Sequence, residues 1–329
     1  MFKKKKITYM CLAVLALAVR GRCFAKEALF SGDQYSIQVE YNDAVAPGDA
    51  VFVRMIISRP KKLAQAKQEP CKGTLSLEGK SADFFEVPPR QGKKSNSDIY
   101  AELLACLPLP SDRRKPGETE LTVAYSAFGA DSRRFTLPLV IQKKDFLSET
   151  IPLNETNTAI RTDTSPKRLA QIDALNAIFS TTRADAVFQQ GPFSPPTDAT
   201  RRTAFFGDRR VYVYANGKSS TSEHYGIDYG VPRGTPVHAS GAGRVVMAED
   251  RITTGWSVVI EHLPGLYSLY YHMDSIAVKV NQTVKMGDEI GKSGATGLAT
   301  GPHLHWEMRL NSVAVNPDFF TGDFAFFNK

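Results

Sequence analysis

The sequence predicts an all-β protein in two modules, an N-terminal β-sandwich and a C-terminal antiparallel β-sheet domain, joined by a linker with one short helix. Apolar and polar residues alternate over short runs from about Leu29 to Lys143 and again beyond Arg210, the period of strands with one buried face. Helical spacing is confined to one stretch, Pro166 to Phe179. The chain has 329 residues, more than one hydrophobic core usually organises, so two domains are expected.

Residues 1–25 have the make-up of an export signal. Lys3 to Lys6 give a positive start, Met10 to Val19 a short apolar run, and Ala25 a small residue for cleavage. The run is too short to span a bilayer. The expectation is an exported protein of the periplasm or cell envelope, with no transmembrane segment after signal removal. Arg20 and Arg22 leave the cut site open, and Val19-Arg20-Gly21-Arg22 lacks the small apolar residues that would make Cys23 a lipid-modified first residue. The net charge is +7, but the chain up to Ala25 carries four lysines, two arginines and no acidic residue; removing those six charges leaves about +1. Composition therefore predicts no nucleic-acid partner, which would need a basic patch or stripe.

Residues 26–145 read as the sandwich. Tyr35 to Val39 and Val51 to Ile56 alternate, with the turn Ala46-Pro47-Gly48-Asp49 between them; Thr119 to Tyr125 and Phe135 to Ile141 continue the pattern. Cys71 and Cys106 fall in this module, and an oxidising compartment predicts a disulfide between them. No CxxC spacing occurs, so a thiolate metal site is not expected.

Residues 146–200 read as the linker. Pro152 to Ser165 is polar and turn-rich. Leu169, Ile172, Leu175 and Ile178 then recur at helical spacing, with Pro166 in the first turn, which predicts a short amphipathic helix. Phe188 to Arg202 is irregular and is expected to lie across the surface of the next domain. Residues 201–329 are glycine-punctuated strand, clearest at Arg210 to Tyr214, Arg244 to Ala248, Trp256 to Glu261 and Tyr267 to His272.

All six histidines, His224, His238, His262, His272, His303 and His305, lie in this last domain. In His303-Leu304-His305, residues two apart on a strand share a face, so both imidazoles would enter one cleft while Leu304 turns to the core. His224 and Asp228 are four apart; a flat strand would separate them by roughly 13 Å, so they can share an ion only if the chain bends, and Gly226 permits that. His224, Asp228 and one member of the later pair would give three protein ligands and leave a fourth position open, the pattern of a catalytic metal. No HExxH motif supplies a glutamate base. His272, at the end of a predicted strand, is a neutral imidazole that can move the proton instead.

These residues stand in motifs that resemble the lysostaphin-type, or LytM-domain, zinc metallopeptidases of bacterial peptidoglycan. HxxxD is His224 to Asp228, GTPV is Gly234 to Val237, G-x-V is Gly243 to Val245, and tyrosine-x-His-Leu becomes Tyr270-Tyr271-His272-Met273; TGPHLHWE is intact from Thr300 to Glu307. The likeness covers about Phe206 to Pro317. It implies one Zn2+ per chain on His224, Asp228 and His305, with His272 and His303 as the unliganded catalytic pair. His238 and His262 match no ligand position, and His262 reads as a structural or rim histidine. Gln190 to Phe193 and Phe206 to Arg210 resemble the lead-in segment of a secreted subgroup with an N-terminal β-sandwich. Tyr225, where that subgroup often has serine, and Met273 depart from the pattern without removing a ligand or base. The implied activity is zinc-dependent endopeptidase cleavage of stem or crosslink peptides in peptidoglycan. Two rivals are a non-enzymatic LytM-like wall-binding protein that regulates another hydrolase, and a metallopeptidase with a protein substrate. The N-terminal module is open to a regulatory protein partner.

Overall fold

The computed structural model describes residues 25–31, 35–59, 70–88, 99–112, 115–129 and 132–322. The export signal thus falls outside the described residues, apart from Ala25, which opens the strand Ala25–Ser31. Among the described residues no helix is long and apolar enough to cross a membrane. The chain divides into two compact units: Met1–Ala44, Val51–Cys106 and Glu118–Leu139 form one, and Val45–Ala50, Leu107–Gly117 and Val140–Lys329 the other.

The first unit is built on two five-stranded sheets among the described residues. One runs in the order Ala25–Ser31, Ser36–Asn42, Ala50–Ser58, Ile99–Pro108, Phe85–Glu86; the other runs Ala44–Val45, Arg133–Ile141, Gly117–Ser126, Lys72–Leu77, Lys80–Asp83. Alternation works as the sequence implies: Phe135, Leu137, Leu139 and Ile141 are buried and the residues between them exposed. Phe30 of one sheet stacks on Phe135 of the other at 4.2 Å, so the inner faces meet as in a sandwich. The expected disulfide is corrected. Cys106 lies buried in Ile99–Pro108 of one sheet and Cys71 precedes Lys72–Leu77 of the other, and the two are not linked. Shared compartment and module are not enough; a disulfide needs the two side chains brought face to face.

The second unit is dominated by a ten-stranded sheet. At its centre Leu304–Leu310 pairs antiparallel with Gly226–Tyr229 on one side and Leu266–Ile276 on the other. The register sets Asp228 and Tyr271 opposite His305 from the two sides. Leu304, Trp306 and Met308 fill the core.

The linker is more structured than its composition implies. Ser148–Pro152 pairs parallel with Arg209–Val213, an exception to the antiparallel expectation. A helix, Glu155–Thr162, follows where a polar stretch was expected; Asn154 caps it by accepting from the Asn157 amide. The predicted helix forms as Pro166–Ser180, capped by Ser165 with proline in its first turn. Its apolar face is buried only at the C-terminal end, where Leu175, Ile178 and Phe179 pack with Met247, Val259, Tyr267 and Leu269. Leu169 and Ile172 remain 51% and 37% exposed. Polar contacts hold that half of the helix instead: Arg168 donates to Thr253 Oγ1 and Gln171 to the Asp250 carbonyl. The segment expected to cross the surface also inserts into the domain. Phe193 is buried, edge-to-face with His262 at 4.9 Å and with Phe320 at 5.7 Å.

Candidate active site

His224, Asp228 and His305 converge in the second unit. His224 Nε2 and Asp228 Oδ1 are 3.0 Å apart, His305 Nδ1 and Asp228 Oδ1 2.8 Å, and His224 Nε2 and His305 Nδ1 3.0 Å. All three residues are buried. His224 reaches Asp228 because regular strand begins only at Gly226, after the histidine. Gly226 does not serve as a left-handed hinge, since its φ is not positive. Its part is to make room: a β-carbon there would collide with the Trp306 carbonyl and lie 2.8 Å from His305 Nε2.

Hydrogen bonds around the cluster settle which atoms face inward. The Phe205 carbonyl lies 2.9 Å from His224 Nδ1 and can only accept, so that nitrogen carries the proton and Nε2 offers a lone pair. The Glu307 carboxylate lies 3.3 Å from His305 Nε2, which leaves Nδ1 facing Asp228. Arg210 donates to Asp228 Oδ2 at 3.0 Å and to Glu149 Oε1 at 2.7 Å, leaving Oδ1 for the histidines. Three lone-pair atoms about 3 Å from one another repel unless a cation lies among them. The surroundings favour positive charge there: burial opposes a charge on His305, but Asp228 and Glu307 outweigh burial and raise its pKa to about 9. Burial likewise favours the neutral acid at Asp228, yet His224 and His305 hold it well below the usual carboxylate range. A buried two-nitrogen, one-oxygen set with this appetite for positive charge fits a divalent metal.

His272 and His303 stand beside this set. Their rings are 4.6 Å apart, and His272 is 6.2 Å from the His305 ring, centre to centre. His272 sits at φ +60°, where its strand slips register against Gly255–Leu263, with its amide donating to the Thr254 carbonyl. The left-handed turn of a non-glycine residue costs energy and is held here by its surroundings. His272 Nδ1 donates to the Thr296 carbonyl at 2.8 Å and His303 Nδ1 to the Gly301 carbonyl at 2.8 Å. Each therefore keeps Nε2 as its available nitrogen. Burial, helped by His303 and His305, pushes the His272 pKa down to about 3, so this imidazole is neutral at ordinary pH. All five residues border one cleft of about 540 Å3.

A model of peptidase family M23 matches residues 222–317, the span that holds all five. The chain carries an M23 peptidase domain. ShyA of Vibrio cholerae, named a peptidoglycan DD-endopeptidase, is 31% identical over 189 residues, which are 57% of this chain and 43% of ShyA. Mpg of Neisseria meningitidis, named a DD-carboxypeptidase/endopeptidase, is 43% identical over 94 residues, 29% of this chain and 22% of Mpg. The chain thus spans less than half the length of these relatives. A crystal structure of an M23 peptidase from Pseudomonas aeruginosa shares the fold, with a TM-score of 0.54 at 23% identity over 84% of this chain and 94% of that one.

The other two histidines of the M23 domain lie apart from the cleft. His238 Nδ1 bonds the Gly287 carbonyl. His262 is fully buried rather than at a rim; its Nδ1 donates to the Ala242 carbonyl at 2.7 Å and its Nε2 bonds Ser268 Oγ at 2.7 Å. Sequence reasoning gave no role to two residues that shape the site, Glu307 and Arg210; of the tyrosines 267, 270 and 271 that it set beside the groove, Tyr271 borders the cleft, its ring stacked on His305 at 5.4 Å and 7°. Glu307 was within reach of such reasoning, since it lies two residues from His305 on one strand face. Nothing in the sequence joins Arg210 to Asp228.

Proposed function

We propose that this chain is an exported zinc metalloendopeptidase that cleaves the stem or crosslink peptides of bacterial peptidoglycan, with one zinc ion held by His224, Asp228 and His305. One observation carries the reading: two imidazole nitrogens and a carboxylate oxygen, buried within 3.0 Å of one another, share a cleft with two further histidines. Nitrogen and oxygen ligands suit zinc, and three protein ligands leave a coordination position for chemistry. A zinc ion there would polarise the scissile carbonyl and make water more acidic. The names of ShyA and Mpg favour the D,D bond of a crosslink as the target. The basic, then apolar, start of the sequence favours export.

In this mechanism Glu307 and the Phe205 carbonyl fix the ring orientations of His305 and His224, and Arg210 fixes the Asp228 carboxylate. His272 and His303 present Nε2 to the cleft. One takes the proton lost by attacking water, and the imidazolium so formed gives it to the leaving amine. The histidines do the work for which many zinc peptidases use a glutamate.

The test is to incubate purified zinc-loaded protein with intact peptidoglycan and identify the products by mass spectrometry. Uncrosslinked stem peptides should appear, stop with chelator and resume with added zinc. Walls left intact by folded, zinc-loaded protein would overturn the proposal and favour a binding or protein-cleaving role.

A further inference from the structure

The charged groups along the cleft are unevenly paired. Four carboxylates border it, and each has a partner within the chain: Glu149 and Asp228 share Arg210, Glu223 meets Arg209, and Glu307 meets Arg309 and His305. Three arginines border it, and only Arg210 is neutralised in this way. Among the described residues Arg161 and Arg201 form no ion pair.

Both unpaired guanidiniums are nevertheless placed. Arg161, in the last turn of Glu155–Thr162, lies over the Tyr212 ring at 4.3 Å, a contact that positions the charge without using its N–H donors. Arg201 lies against Gly230, whose amide donates to the Arg201 carbonyl. A β-carbon on Gly230 would come within 2.5 Å of an Arg201 terminal nitrogen, while its backbone does not adopt the left-handed region that alone calls for glycine. Glycine here therefore gives the guanidinium a seat. Two cations from different segments of the chain, both lining the cavity that holds the histidine cluster and lacking ion-pair partners among the described residues, are complementary to an anionic ligand. Guanidinium groups match carboxylates with paired N–H donors.

We propose that Arg161 and Arg201 form a carboxylate-binding subsite that selects peptides bearing free carboxylates and holds them in register with His272 and His303. This rests on the peptidase reading above, since it names a feature of that substrate, but it is separable by measurement. Hydrolysis of a soluble crosslinked muropeptide is compared with that of the same fragment with its free carboxylates amidated. Binding of both is measured separately to full-length, zinc-loaded His303→Ala protein, which does not depend on turnover.

Native protein should favour the carboxylated fragment by about tenfold or more, the scale of charge-assisted bonds. Arg161→Gln with Arg201→Gln should raise KM and weaken binding for that fragment by a similar factor, abolish the preference, and leave one zinc per chain. Hydrolysis of both fragments equally well by the native and double-variant proteins would overturn the subsite while the peptidase reading stood. Arginine-dependent binding without cleavage by native protein would uphold the subsite and sink the peptidase reading. Neither cleavage nor binding would remove both.

Discussion

At the scale of single residues, burial decides what each histidine does. His262 is held at about pKa 4 by burial, which the bond to the Ala242 carbonyl only partly opposes; in an unfolded chain it titrates near 6.5. Between those values the unfolded chain binds a proton that the folded chain refuses. Its contribution to stability is therefore complete above about pH 6.5 and is lost as pH falls toward 4, by about 3 kcal/mol in all. Urea midpoints measured from pH 7 to 4.5 should fall, and fall less steeply in His262→Gln; equal slopes would refute this account. His305 has the opposite shift, to about 9, so zinc uptake at pH 7 should release about one proton per ion. Calorimetry in buffers of different ionisation heat measures that number, and a value of zero would contradict the raised pKa of His305. Substitution separates the roles further. His305→Ala should lose zinc and activity together, whereas His303→Ala or His272→Ala should keep about one zinc and lose roughly 100-fold in wall hydrolysis. Metal analysis beside turbidity clearance distinguishes them, and zinc lost from His303→Ala but kept by His305→Ala would reverse the assignment.

At the scale of elements, the site depends on strands meeting closely. The expected bend at Gly226 is instead a close approach, and Gly226→Ala should push the His305 ring aside. A destabilisation of about 1–3 kcal/mol with weakened zinc binding is expected, read by chemical denaturation and zinc titration; native affinity in the variant would show that the ring has room. The parallel pair of Ser148–Pro152 with Arg209–Val213 puts Glu149 opposite Arg210, and Arg210 reaches Asp228. Arg210→Gln should lower zinc affinity by about 10–100-fold, the usual effect of removing a group that orients a ligand. A competition titration that found unchanged affinity would assign Arg210 to the fold alone. In the helix Pro166–Ser180, the buried Phe179 should matter far more than the exposed Leu169. Phe179→Ala should cost about 3–5 kcal/mol, and Leu169→Ser under about 0.5.

For the whole molecule, zinc should stabilise the second unit, because binding a folded site draws the equilibrium toward it. At a free zinc concentration 100 times Kd the gain is about 2.7 kcal/mol. Heating with and without chelator should shift the transition that contains the ten-stranded sheet and leave the other unit's transition in place. The sequence alone determined the β class and the Pro166 helix, and it named five residues that the structure brings to one cleft, because alternation and short motifs are local properties of the chain. HxH on a strand places two imidazoles together whatever surrounds them. It did not determine that Cys71 and Cys106 stay apart, that Leu169 faces outward, or that Phe193 inserts beside His262. Each of these depends on which sheet or loop arrives opposite, and neighbouring residues carry no record of that. The same holds for chemistry. The motifs named the histidines, but Phe205 and Thr296, 19 and 24 residues from His224 and His272, supply the carbonyls that fix which nitrogen of those two rings faces the cleft. Tautomer and charge follow from the low-dielectric surroundings and partners of a group, and only tertiary structure assembles those.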